Sequence, residues 1–416
     1  MSLLDRESAH DIDFERWPSL VPPPPTPIRA AIARILFRRI VARTGIRVNL
    51  PDGRHVGSTD GPVMTVHNDG AFFARMGRSG KIGFGESYMA REWDSDELVE
   101  VLEAFARNAN TLVARPLQVI RRWYESRPPV TEDNDRKGAV RNIARHYDLS
   151  NELFADFLDE SMSYSSALFS SEDFSLEEAQ AYKIERLLDV TGVRPGTRLL
   201  EIGTGWGELA LRAARRGASV TSVTLSLEQA TLARRRVAEA GLDSMVDIRV
   251  EDYREVTGVF DVVVSVEMIE AVGERWWPTY FSTLDRCLVP GGRVGLQSIL
   301  MAHHRLEATK SSWTWIHKYI FPGGIIPSER AIRETVGAYT GLEIVDQLYF
   351  GTSYASTLKL WRERFLGATS DVLGIGFDAT FQRMWEFYLA YSEAGFRSGY
   401  LDVAQFTMVK NDVTSP

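Results

Sequence analysis

The chain has 416 residues, a formal net charge of −8 and a single cysteine, Cys287. That length calls for two domains, one of them with a large core. The acidic balance argues against a general nucleic-acid binder, and one cysteine excludes an intramolecular disulfide and a cysteine-ligated zinc site. No apolar run has the length a bilayer demands, and the first residues show no basic start followed by an apolar core. The protein is therefore expected in the cytoplasm.

Residues 1–27 read as a loosely ordered lead stiffened by prolines 22–25. Ile28, Ile32, Ile35, Leu36, Phe37 and Ile40 then recur at helical spacing, with five arginines between 28 and 43 and no acid from Ile28 to Leu50. A basic amphipathic helix in an acidic protein suits an anionic membrane surface. A helix packed on its own domain with solvated arginines accounts for the pattern equally well. Short alternating runs over 46–92, broken by glycine and closed by Gly-Phe-Gly-Glu-Ser-Tyr-Met at 83–89, suggest a small β structure. Residues 96–108 read as a helix, and 115–127 as a second basic helical stretch ending at Pro128-Pro129. The polar run 131–137 reads as a linker. It divides a lipid- or membrane-facing N-terminal domain, 1–130, from a second domain, 131–416.

Beyond the linker, 142–158 reads as a helix that contains, or is interrupted by, His146-Tyr147-Asp148-Leu149-Ser150, and 161–166 as a hydroxyl-rich loop. Ser175 with Glu178 forms a capping box that starts a helix running to about Val190. Strands are predicted at 198–202, 219–224, 246–249, 260–266 and 292–299, and helices at 207–216, 227–240 and 277–288. Cys287 falls in the last helix, as core packing. Apolar strands alternating with helices make a parallel sheet covered on both faces, whose ligands sit beyond the carboxyl ends of the strands. Segments 203–207, 224–229, 252–253 and 267–270 should therefore converge on one site.

The decisive turn is Glu201-Ile202-Gly203-Thr204-Gly205-Trp206-Gly207-Glu208. Gly203, Gly205 and Gly207 allow a sharp turn and close approach to a ligand, and the helix that follows offers free N–H groups. A dinucleotide fingerprint would read G-x-G-x-x-G, with an acid about 20 residues on. Here the spacing is G-x-G-x-G, the acid Glu201 precedes the first glycine, and Trp206 would crowd a pyrophosphate. The second strand ends Val223-Thr224-Leu225-Ser226 without a ribose-binding acid, leaving Gln229 to take that hydrogen bond while Ser226 also caps its helix. These features favour S-adenosylmethionine over a nicotinamide cofactor.

At this point the chain resembles the cyclopropane-fatty-acid synthases and related S-adenosylmethionine-dependent fatty-acyl methyltransferases. The likeness runs from about Gly83 to Lys410. It is carried by 83–89, His-Tyr-Asp-Leu-Ser-Asn at 146–151, Met-Ser-Tyr-Ser at 162–165, Leu-Glu-Ile-Gly-Thr-Gly-Trp-Gly at 200–207, Thr-Leu-Ser at 224–226, Ile-Phe-Pro-Gly-Gly at 320–324 and Ser-Tyr-Ala-Ser-Thr-Leu-Lys-Leu-Trp at 353–361. The resemblance implies an α/β class I methyltransferase fold with a mostly parallel seven-stranded sheet, a smaller N-terminal α+β domain and a helical lid insertion. Tyr164, Ser165, Glu201, the 203–207 turn, Thr224, Leu225, Ser226, Gln229, Asp252 and Tyr253 would line the cofactor pocket. The implied reaction moves a sulfonium methyl onto the double bond of a lipid acyl chain, giving a carbocation that then loses a proton. Such a cation needs an apolar, dry pocket with π faces. Trp313, Trp315, Tyr319, Phe321, Trp361, Phe381, Trp385, Phe387, Tyr388 and Tyr391 supply aromatic density, although each taken singly reads better as packing.

The resemblance also implies a bicarbonate ion held by a cysteine, a glutamate, a histidine and a tyrosine. Glu270 and Tyr354 match the glutamate and the tyrosine, but Ser166 stands at the cysteine position and Gln297 at the histidine position. Glu267 adds a carboxylate one helical turn from Glu270. Glutamine cannot carry a proton as histidine does, and two close carboxylates disfavour a bound anion. Bicarbonate is therefore in question as a cofactor, with a protein carboxylate expected to take over deprotonation. The product expected of such a site is a methylene- or methyl-branched chain, a cyclopropane being the alternative. A methyl branch would require a separate reductase as partner, since nothing here binds a hydride donor.

Readings of another class are a non-catalytic S-adenosylmethionine- or lipid-binding protein and a methyltransferase acting on a small soluble molecule; a dehydrogenase fits least. No His, Cys or Asp cluster has metal-ligand spacing, so no metal is expected. The expected partners are membrane phospholipid acyl chains, with the enzyme peripheral to the inner face of the membrane. Homo-oligomerisation, double-bond position and head group are left open.

Overall fold

The structure, a computed structural model, describes residues 12–24, 26–108, 134–135, 138–139, 141–142, 150–171 and 173–411. The expectations for Pro25, for 115–127, for most of the 131–137 linker and for 143–149 lie outside the described residues. The chain forms two compact units. One is Met1–Arg127 with Ser312–Ile320 and Leu366–Gly399; the other is Pro128–Ser311 with Phe321–Phe365 and Tyr400–Pro416. The first unit thus recruits two segments that the linker at 131–137 would have assigned to the second.

The first unit carries a four-stranded sheet of β1 (Arg47–Asn49), β2 (His55–Gly57), β3 (Val63–Val66) and β4 (Trp93–Asp94), in the order β2-β1-β3-β4. Residues 69–92 are not the β structure that their glycines suggest. Asp69–Met89 is helical, with a kink at Gly80, whose φ is +53°. Its glycines permit close approach: a Cβ on Gly85 would lie 2.5 Å from the Trp315 indole. Of the expected aromatics, Trp315, Phe381, Trp385 and Phe387 pack in this unit. Phe84 stacks on Trp93 with centroids 4.7 Å apart, Trp315 meets Phe387 edge-on at 4.8 Å, and Phe381 stacks on Trp385.

The helix Pro27–Thr44 also corrects the sequence pattern. Its buried stripe is Ala33, Phe37, Val41 and Thr44. Of the expected apolar face only Phe37 points inward, while Ile28 and Ile35 are 76% and 53% exposed.

The second unit holds a seven-stranded sheet of β5 (Arg198–Ile202), β6 (Ser219–Thr224), β7 (Val246–Val250), β8 (Phe260–Val266), β9 (Leu288–Met301), β10 (Leu342–Tyr349) and β11 (Leu401–Lys410), in the order β10-β11-β9-β8-β5-β6-β7. β5 to β9 run parallel, and β11 lies antiparallel between β9 and β10. This is the class I methyltransferase architecture. Leu199, Leu200 and Ile202 are almost fully buried because helices cover both faces of the parallel strands. Leu176–Thr191 starts at the capping box of Ser175 and Glu178. Helices Glu208–Arg215, Leu227–Glu239 and Trp277–Arg286 follow the strands as the alternation requires. Cys287 ends the last of these, wholly buried in the core. Since β5 pairs with β6 on one side and β8 on the other, its carboxyl end is the point where strand order reverses, where such sheets bind ligands.

Candidate active site

The pocket opens at that end of β5. Gly203, Gly205 and Gly207 all have positive φ, at +99°, +52° and +90°. A Cβ on Gly205 would meet nothing within 4 Å, so its backbone is bare toward the pocket. The lining comprises Met162–Ser165, Lys183, Glu201–Trp206, Thr224, Leu225, Gln229, Glu251, Tyr253, Arg254, Glu267 and Met268, among others. Its ionisable lining is Glu201, Glu208, Glu251 and Glu267 beside Lys183 and Arg254, with Glu208 already paired to Arg212 and Arg236. Burial pushes the Glu201 carboxyl up to about 8, against the opposing hydrogen bond from Ser222. Ser222 Oγ stands 2.5 Å from Glu201 and 2.7 Å from Thr204 Oγ1. Tyr164 forms an aromatic wall, backed by Trp361 stacked on it at 5.3 Å.

At the end of β8, Glu267 adopts a φ of +48°. Its Oε1 accepts from the Ser166 N–H at 2.9 Å and from Gln297 Nε2 at 2.8 Å, and its Oε2 accepts from the Tyr354 hydroxyl at 2.7 Å. Burial raises the Glu267 carboxyl, while the hydrogen bonds from Tyr354 and Gln297 and the charge of Lys183 pull it back down. Lys183, fully buried, donates to Ser165 Oγ at 2.7 Å. Burial lowers its ammonium to about 8, and Glu267 opposes that shift.

The sequence model of the mycolic acid cyclopropane synthetase family matches residues 134–406. The chain belongs to this family. Tuberculostearic acid methyltransferase UfaA1 of Mycobacterium tuberculosis is 52% identical to it over 96% of both chains. The cyclopropane-fatty-acyl-phospholipid synthase of Escherichia coli is 35% identical over 87% of this chain and 90% of that one. Among solved structures, the cyclopropane synthase MmaA2 of M. tuberculosis aligns with a TM-score of 0.61 at 30% identity, covering 65% of this chain and 98% of that one. Mycolic acid cyclopropane synthase CmaA1, solved in complex with SAH and CTAB, aligns with the same score, identity and coverage. The chain is thus an S-adenosylmethionine-dependent methyltransferase.

As a cyclopropane synthetase family member the chain departs from the expected site at four positions. Gly207 does not line the pocket; it caps a helix, and a Cβ there would sit 3.1 Å from the Ala233 methyl. Ser226 is turned inward as the N-cap of the next helix, accepting from the Gln229 N–H at 3.2 Å. Asp252 is drawn into an ion pair with Arg254 at 2.6 Å, which leaves Glu251 and Arg254 facing the pocket. Glu270 stands apart from the Ser166, Gln297 and Tyr354 group. Its Oε1 accepts from the Ile299 N–H at 2.5 Å and from Ser298 Oγ at 2.9 Å. Burial, then the charge of Glu267, push the Glu270 carboxyl up to about 8.

Tyr164, Ser165, Glu201, Gly203, Gly205, Thr224, Leu225, Gln229 and Tyr253 do line the pocket. Gln229 lines it with its Oε1 already accepting from Thr224 Oγ1 at 2.9 Å. Sequence reasoning missed Lys183 and Glu251. Lys183 sits on the face of Leu176–Thr191 that carries Ala179, Ile184 and Leu187 inward, so a charge on an apolar stripe was the available signal. Glu251 lies just before the expected acid.

Proposed function

We propose that the enzyme transfers a methyl group from S-adenosylmethionine to the cis double bond of an unsaturated, oleoyl-type acyl chain in a membrane phospholipid, and that proton loss yields a methylene-branched chain. The observation that supports this most is Glu267, a carboxylate held at the pocket wall by Ser166, Gln297 and Tyr354. The substrate classes named for UfaA1 and the E. coli synthase agree with it. S-adenosylmethionine supplies an electrophilic methyl; Glu251 offers negative charge to its cationic groups, Glu201 offers hydrogen bonds, and Tyr164 offers a π face to the developing cation. With serine at 166 and glutamine at 297, bicarbonate is not a required cofactor in this reading. A saturated methyl branch would need a separate reductase.

The acyl chain would be met at a lipid surface. Ile28, Ile32, Ile35 and Leu36 are exposed beside Arg29, Arg38 and Arg39, an arrangement suited to anionic headgroups. Among the described residues no helix is long and apolar enough to cross a membrane, so contact would be peripheral. An Ile32→Glu, Ile35→Glu double variant should lose co-sedimentation with anionic vesicles and keep its thermal midpoint. Binding that is unchanged would refute the docking face.

Purified protein incubated with oleoyl phospholipid vesicles and labelled S-adenosylmethionine should give an acyl chain one CH₂ heavier. Cyclopropane and methylene products share that mass, and proton NMR separates vinylidene from ring protons. Ring protons would overturn the branched product; no transfer at all would overturn the lipid substrate.

A further inference from the structure

The groups around Glu267 come from three separate parts of the second unit: the loop at Ser166, strand β9 at Gln297 and the helix Gly351–Gly367 at Tyr354. All of them donate, and the buried Lys183 adds a favourable charge. A converging set of donors with a cation nearby is what a small planar anion requires.

The orientation of Gln297 is not free. Arg186 is always protonated and donates to Gln405 Oε1 at 2.7 Å, which turns Gln405 Nε2 toward Gln297 Oε1 at 3.0 Å. Gln297 must then present its own NH₂ to Glu267. The row Arg186, Gln405, Gln297 therefore fixes a donor, not an acceptor, at the cradle. The backbone N–H of Glu267 donates to the Gln297 carbonyl at 2.8 Å, which locks the left-handed residue in place.

We propose that this cradle is an anion site which the chain fills with its own side chain, and that the tethered Glu267 carboxylate is the catalytic proton acceptor. The inference rests on the acyl-methylation reading and names the base within it. The olefin π pair forms the new C–C bond as the C–S bond breaks, leaving a neutral sulfide and a carbocation on the chain. A 1,2-hydride shift moves the charge onto the methyl-bearing carbon, and a C–H pair of the new methyl then becomes the C=C bond of the methylene branch while the proton passes to Glu267. Glu270 is not that base, because Glu267 lines the pocket and Glu270 does not.

Removing the side chain should turn the cradle into a site for a free anion. Glu267→Gly suits the positive φ and empties the cradle, whereas Glu267→Gln keeps it filled. Sodium formate, acetate and bicarbonate are the probes. Glu267→Gly should bind S-adenosylmethionine as the wild type does and lose about 10²–10⁴-fold in turnover, the usual contribution of a positioned base. One or more of the anions should then restore turnover in a saturable manner, without effect on Glu267→Gln or the wild type. ¹³C-formate NMR should show saturable binding to Glu267→Gly alone, a readout that needs no acyl substrate. The proposal is overturned if Glu267→Gly keeps wild-type turnover, if it binds no formate while still binding S-adenosylmethionine, or if Glu267→Gln is rescued equally. Should Glu267→Gly fail to fold, Glu267→Ala serves the same comparison. Failure of the wild type to methylate any unsaturated lipid would instead sink the substrate reading, with the formate titration still deciding the cradle.

Discussion

Tyr354→Phe isolates one bond of the cradle. The Tyr354 hydroxyl donates to Glu267 Oε2 at 2.7 Å, and among the influences that lower the Glu267 carboxyl it is the largest. A hydrogen bond to a charged acceptor contributes about 1.5–3 kcal/mol. Its loss should raise the Glu267 pKa. A base is active when ionised, so the limb of the pH–rate profile where activity rises should move up with it. At a pH below that limb the variant should be about 10–100-fold slower, recovering as the pH is raised. The groups facing Glu267 work in the same sense, since Lys183 loses its charge near 8 and then ceases to favour the carboxylate. The assay is single-turnover transfer of labelled methyl to unsaturated phospholipid vesicles across pH, with donor affinity measured calorimetrically as a control. A uniform loss of rate with the limb unmoved would refute the reasoning, because it would make Tyr354 a packing residue only.

Lys183→Met removes the buried cation and should shift the same limb upward without moving the thermal midpoint greatly; a profile identical to the wild type would exclude an electrostatic role. Glu270→Gln tests the other carboxyl. With a folded pKa near 8 against an ordinary value of 4.5, Glu270 stays protonated in the fold while it ionises in the unfolded chain, so its cost grows between those two pH values and is constant above. The variant's gain in thermal midpoint should accordingly be larger at pH 8.5 than at pH 4, each about half a unit outside that window. Gly207→Ala, at a φ of +90° with Ala233 3.1 Å from the new methyl, should cost about 1–3 kcal/mol in denaturant unfolding. Gly205→Ala has open space and should chiefly weaken donor binding by calorimetry.

Three of the five parallel strands were readable residue by residue, and the other two in place but not in extent. The predicted bounds of β5, β6 and β8 coincide with the observed ones, because apolar runs between turn residues leave few alternatives for a strand buried on both faces. β10 and β11 do not follow the strand–helix rhythm, and β10 has mostly exposed side chains, so their patterns carry little signal. The run 83–89 misled for a physical reason. Gly83 and Gly85 serve close packing within a helix, and glycine in a sequence does not distinguish packing from turning. Lys183 was hidden because its partners, Ser165 and Glu267, are remote in sequence.

The position of Glu267 explains why family likeness alone could not assign the base. Its left-handed backbone costs about 1–3 kcal/mol in a residue other than glycine. That cost is met only if the side chain gains something specific, and hydrogen bonds to a carboxylate at about 1.5–3 kcal/mol each exceed it. Glu270 matches the family pattern yet faces a strand backbone, with Oε2 lacking a hydrogen-bond partner among the described residues. A freely diffusing anion would have to be collected from solution at each cycle, with its ordering entropy paid at binding. A side chain has that entropy settled when the protein folds. In the proposed mechanism the serine, the glutamine and Glu267 act as one set: donors without a histidine's charge hold a free ion less strongly, and the tether makes that hold unnecessary.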